Sequence, residues 1–172
     1  MGVKLPNGVT LALATAYGSA INVTALSNAN PAVATAAAHG LTDGDIFEIT
    51  SGWSKLSGRI LRVDGALSGS FELEGINTLN TTDYPAASGA GTVREITTWT
   101  QIAQVMDANT SGREMQFVTY SFLEQDFESQ LPTQASPQTM TLQIADDPSL
   151  PGYQAVNSAA ESRAIRALRI AY

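Results

Sequence analysis

Apolar and polar positions alternate in short runs along most of the chain. Val9, Leu11 and Leu13 alternate with Thr10, Ala12 and Ala14, Phe47 and Ile49 with Glu48 and Thr50, Leu61 and Val63 with Arg62, and Phe71 and Leu73 with Glu72 and Glu74. A period of two sends alternate side chains to opposite faces, so these runs predict half-buried antiparallel strands. Turn chemistry separates them at Asp43-Gly44, Ser51-Gly52, Ser57-Gly58, Asp64-Gly65 and Ser68-Gly69, at the spacing of a small barrel or sandwich. The expected fold class is mainly β. One segment departs from this pattern: the Ala-rich run from Gln154 to about Arg166 follows a stop signal at Pro151 and carries Arg163 and Arg166 late, which predicts the single helix. Its Val156, Ala160 and Ile165 are expected to pack against the sheets. Leu168 and Ile170 then alternate with Arg169 and Ala171 as a last strand.

The pattern also changes along the chain. Residues 25–95 are dense in glycine, serine and turn dipeptides, and runs of alanine and glycine flank them at Ala32–Ala38 and Ala86–Gly91. From Trp99 on, the apolar residues are larger: Met115, Phe117, Val118, Tyr120, Phe122 and Phe127, then Met140, Leu142 and Ile144. The expected organisation is therefore a discontinuous β domain of residues 1–24 and 96–172, with 25–95 inserted as a small all-β module.

Composition narrows the chemistry. At 172 residues, 44% hydrophobic and 15% charged, the chain can bury a core. Nine Lys and Arg against sixteen Asp and Glu give a net charge of -7, which repels a phosphate backbone and argues against tight nucleic-acid binding. Without cysteine, and with a single histidine, neither thiolate zinc sites nor multi-histidine sites can form. His39 lacks an obvious catalytic partner, and Asp43 and Asp45 lack the further oxygen ligands of a calcium loop; all three read as turn residues. No phosphate loop or nucleophile elbow is present. The expectation is a protein that is not an enzyme, with no catalytic, cofactor-binding or metal residues and no cofactor. An export signal and a bilayer-length apolar run are not visible, so a soluble protein that does not engage membrane is expected.

The stretch from Gln116 to Asp147 carries the most information. Read as a strand, Leu123, Phe127 and Leu131 share one face while Glu124, Asp126 and Glu128 share the other, and Gln138–Ala145 reads as its partner, with Met140, Leu142 and Ile144 inward. From Glu124 to Asp147 there are five acids and no base. Two readings fit this face: a solvated edge that resists aggregation, or a wall that must not hold DNA.

Three segments, Thr98–Ile102, Arg113–Thr133 and Ser136–Leu142, together with the Asp146-Asp147-Pro148 turn leading to Tyr153, resemble the tail tube proteins of long-tailed bacteriophages. Asn30–Ala34, Ala38–Asp45 and Ser70–Gly75 resemble a small β-barrel module that recurs in phage tail proteins. The resemblance implies a tail-tube-type β-sandwich or barrel with one flanking helix. It further implies hexameric rings that stack into a tube, contacts with other tail proteins such as the tape measure and the terminator, and genomic DNA that passes through without tight binding. Location in the virion tail after assembly in the host bacterial cytoplasm is implied as well, with Glu124, Asp126 and Glu128 facing the lumen. Another tail ring component, a terminator or baseplate ring, or a β-rich surface binding module are the alternatives.

Overall fold

The four alternating runs all become strands in the computed structural model, which describes residues 8–124 and 126–171. Strands β1 (Thr10–Tyr17), β2 (Ile21–Val23), β3 (Ala25–Leu26), β4 (Ala32–Thr35), β5 (Ile46–Ser51), β6 (Arg59–Leu67), β7 (Ser70–Leu73) and β8 (Gly91–Ile102) come first. Strands β9 (Val105–Ser111), β10 (Met115–Tyr120), β11 (Ser129–Ala135) and β12 (Thr139–Ile144) follow, then helix α1 (Pro151–Glu161) and strand β13 (Leu168–Ala171). The chain divides into two compact units, Met1–Ile102 with Pro151–Tyr172, and Ala103–Leu150.

The first unit is a nine-stranded sheet in the order β13-β1-β8-β5-β6-β7-β4-β3, with β2 also on β8. Strand β8 is its hinge. The half from Ile96 to Ile102 pairs with β1, while the half from Gly91 to Glu95 lies between β2 and β5. Only Thr24 separates β2 from β3, and its N–H donates to the Thr35 carbonyl 2.9 Å away. The pairings therefore run from β8 through β5, β6, β7, β4 and β3 and back to β8 through β2. This circuit takes in residues 21–24 as well as 25–95, and its cluster of buried residues runs from Val23 to Val93 around Phe47, Trp53, Phe71 and Leu73. The expected faces are borne out in three of the four runs, where Phe47, Ile49, Leu61, Val63, Phe71 and Leu73 point inward; in β1 Leu11, Ala12 and Ala14 are all buried and Leu13 only partly, so both of its faces are covered.

Trp53 anchors one end of that core. Its indole Nε1–H donates to the Pro85 carbonyl at 2.8 Å and to Ser88 Oγ at 3.1 Å, and its ring meets Tyr84 edge-on at 5.2 Å. His39 is buried, accepts the Leu41 N–H at Nδ1 (3.1 Å) and so donates from Nε2 to the Leu67 carbonyl (2.6 Å), with its ring against Phe71. Asp45 accepts the Thr42 N–H and hydroxyl, and Asp43 accepts the Ala66 N–H. These three residues hold turns and one another's loops, as ordinary turn residues do.

Helix α1 corrects the expected boundaries at both ends. Pro151 is its first residue, a position where the missing N–H costs nothing. At the far end the Arg163 N–H donates to Ala160 and the Ala164 N–H to Ala159, with Arg163 in the left-handed region at φ 50; this Schellman closure ends the helix before Arg166. The packed face is also different. Gly152 is buried, and Ala155, Val156 and Ala159 are partly covered, whereas Ala160 is exposed and Ile165 is 92% exposed. Gly152 sets this phase, since a Cβ there would overlap the Gln101 carbonyl oxygen and crowd Ile102 Cα. Gly152→Ala should thus lower the melting temperature by roughly 5–10 °C, the consequence of about 2–3 kcal/mol of overpacking against backbone that cannot yield; an unchanged melting curve would show that α1 does not seat on β8. In the same scan Ala159→Asp should destabilise by about 1–3 kcal/mol, and Ala160→Asp should change nothing measurable.

Candidate functional site

The second unit consists of β-ribbons. Strand β9 pairs with β12, from Ser111 opposite Thr139 to Val105 opposite Ile144, and β10 pairs with β11, from Met115 opposite Ala135 to Tyr120 opposite Ser129. The register carries over from one ribbon to the other, because Met115 and Ala135 lie four residues on from Ser111 and Thr139 in each arm. The two ribbons are thus one long hairpin, with β9 and β10 as the outgoing arm and β11 and β12 as the returning one. Sixteen residues from Val105 to Tyr120 give each arm a contour of about 50 Å.

A joint interrupts the hairpin near its middle. Gly112 and Arg113 both have positive φ (97 and 61), and the Arg113 N–H donates to the Ser136 carbonyl at 3.2 Å while the Ser136 N–H donates to the Glu114 carbonyl at 2.8 Å. Ser136 Oγ also accepts the Glu114 N–H at 3.0 Å. A Cβ on residue 112 would overlap the Pro137 carbonyl oxygen, so glycine is required there for both φ and space.

The ribbon β9–β12 has two different faces. Asp107, Asn109, Ser111, Thr139, Thr141 and Gln143 share one, and Ala108, Thr110, Met140 and Leu142 the other, with Met140, Leu142 and Ile144 half-buried. This is a correction to the expected pairing: the partner of Gln138–Ala145 is β9, not the strand that begins at Gln116. The ribbon β10–β11 leaves large apolar residues exposed on both faces, among them Phe117, Val118 and Leu131 at 55–56%.

The three predicted carboxylates also move. Glu124, Asp126 and Glu128 do not share a strand face; they lie in the turn that joins β10 to β11 and are exposed, beside Phe122, Leu123 and Phe127, which are exposed as well. No ion pair engages them among the described residues. Lys55 pairs with Asp83, Arg62 with Glu74 and Arg94 with Glu48, each pair within the first unit. Hydrogen bonding by Arg62 holds the exposed Glu74 carboxyl below its usual range, and the Ser149 hydroxyl and N–H do the same for Asp147 at the end of the second unit. Seven acids and one base fall within Ala103–Leu150, so this unit carries six of the chain's seven net negative charges.

Among the described residues no group of acids and histidines could hold a metal ion, and no helix is long and apolar enough to cross a membrane. Within the second unit the described strands form an acidic two-stranded hairpin. The family model of the phage tail tube protein, TTP, matches residues 51–172, and the chain belongs to that family. It is a structural protein of the viral tail, and membership implies interaction with other tail proteins. No curated protein and no solved structure matches the chain.

Proposed function

We propose that the protein forms hexameric rings that stack into the tail tube, the conduit through which DNA reaches the host. The observation that carries this reading is the long hairpin. An isolated two-stranded ribbon is marginal in water, and its outer edges offer unpaired backbone groups to other strands. In a ring, the hairpins of neighbouring subunits pair edge to edge and close into one barrel, which leaves no free edge. The charge agrees with this role: the second unit holds most of the negative charge, and a wall whose one base is Arg113 gives DNA few counterion-releasing contacts. In this tube the polar face of β9–β12 meets the channel, while Glu124, Asp126 and Glu128 sit at the channel's rim, where one ring reaches the next. The circuit of strands around residues 25–95 is proposed as an insertion on the outside, joined to a tube domain of 1–24 and 96–172. Electron microscopy of the purified protein tests the reading. Long hollow tubes with six-fold end views are expected, and monomers or single rings at all concentrations would overturn it.

A further inference from the structure

Charge and apolar exposure are matched at two places far apart in the sequence. The hairpin turn presents Glu124, Asp126 and Glu128 interleaved with Phe122, Leu123 and Phe127, the apolar three being 58%, 108% and 64% exposed. The segment after α1 presents Arg163, Arg166 and Arg169 interleaved with Ile165 (92% exposed) and Leu168 (38% exposed). Three of the chain's nine basic residues thus fall within seven positions, with no acid from Ser162 to Ala171. Neither cluster has an ion-pair partner among the described residues.

Two of the three arginines are held in place by aromatic rings. The Arg169 guanidinium lies 4.8 Å from the centre of the Trp99 ring, and Arg166 lies 5.6 Å from Tyr17, whose hydroxyl accepts the Ala167 N–H at 3.2 Å. Stacking of this kind orders a guanidinium while leaving its N–H donors at the ring's edge open to carboxylates. Ordering in advance reduces the side-chain entropy lost on docking.

We propose that the hairpin turn of one copy docks on the Arg163–Arg169 segment of a second copy, carboxylates against guanidiniums and Leu123 and Phe127 against Ile165 and Leu168. The occupant is a second copy because the complementary surface is found on this chain itself. The contact is heterologous, turn to segment, so it propagates from copy to copy and does not end at a dimer. It rests on the tube reading for its place, as a joint between successive rings, but its chemistry can be tested separately.

The test is charge reversal and rescue on the full chain. One variant carries Glu124→Lys, Asp126→Lys and Glu128→Lys; a second carries Arg163→Glu, Arg166→Glu and Arg169→Glu; a third carries all six. Circular dichroism checks that each is folded, and sedimentation at about 50 mM and 500 mM salt reads self-association, which screening weakens if charge drives it. The wild type should associate at low salt and less so at high salt. Either single-sided reversal should weaken association about tenfold or more, and the six-fold swap should restore it. Failure of the swap to restore association, or a turn variant that associates like the wild type, would overturn the contact. A wild type that stays monomeric at both salts would do so too, as expected if the turn seats on its own chain. Salt-sensitive association without tubes in the microscope would remove the tube reading and leave the contact standing.

Discussion

Leu131→Asp should abolish assembly while leaving the melting of the isolated subunit within about 0.5 kcal/mol of the wild type. Leu131 is 56% exposed and stands directly opposite Val118, itself 55% exposed, on one face of the β10–β11 ribbon. In a lone subunit the new carboxylate meets water and costs little. When closure of the barrel buries that face, an unpaired charge must be desolvated, at several kcal/mol for each copy. A ring repeats the penalty at every subunit, so an effect that is modest in one contact becomes all-or-none in the assembly. Val118→Asp, on the same face, should act alike, and Thr141→Asp, on the polar face of β9–β12, should be tolerated. Tubes of normal length from Leu131→Asp, seen by electron microscopy, would mean that this face stays in water and that the hairpin is not the joint between subunits.

What could be read from the sequence depended on whether glycine marked the turns. In the first unit Gly44 and Gly58 take positive φ at turn dipeptides, whereas Gly65, read as a turn, does so at a bulge inside β6; there the strands, and outside β1 their inward faces, follow from alternation. The hairpin turn from Ser121 to Glu128 holds neither glycine, asparagine nor proline. Its alternation of Leu123 and Phe127 with acids therefore reads as one continuous strand, and the carboxylates are assigned to a face when they belong to a tip. The pairing of β12 with β9 was missed for the same reason, since a turn unseen at 121–128 leaves no returning arm in β11. A glycine was visible at the joint, Gly112, but not the register continuing past it, because a joint and a turn carry the same local signal. At the end of α1 the left-handed position belongs to Arg163, where glycine is the usual marker, so the helix read too long. The acidic, base-free composition of 124–147 needed no geometry, and it is what remains of the candidate site after the faces were reassigned.

Trp53→Ala should unfold the strand circuit of the first unit, with a loss of about 3–5 kcal/mol and a fall in its melting temperature of roughly 10 °C. The side chain is 1% exposed, so its removal opens a large cavity, and neighbours can collapse into it only by moving backbone. That movement is constrained. Gly89 lies so close that a Cβ there would come within 2.9 Å of the indole and of Leu26 Cβ, and Ser51 Oγ ties the same corner by accepting the Trp53 N–H at 3.1 Å and donating to the Gly89 carbonyl at 2.8 Å. Loss of the indole also removes one donor from the Pro85 carbonyl, which keeps the Ser88 hydroxyl at 2.7 Å and the Ser88 N–H at 3.4 Å. Trp53→Phe should cost less, because it restores most of the buried area and removes only the indole donor. The Trp53 circuit holds the Gly91–Glu95 half of β8, and β1 pairs with the Ile96–Ile102 half, so amide exchange resolves the outcome by position. Rapid exchange should spread through β4 to β7, and the β1 pairing with Thr100 to Ile102 should exchange later. Uniform loss of protection through both halves of β8 would show instead that the first unit folds as one cooperative body, and the proposed insertion could not then be removed without losing the tube domain.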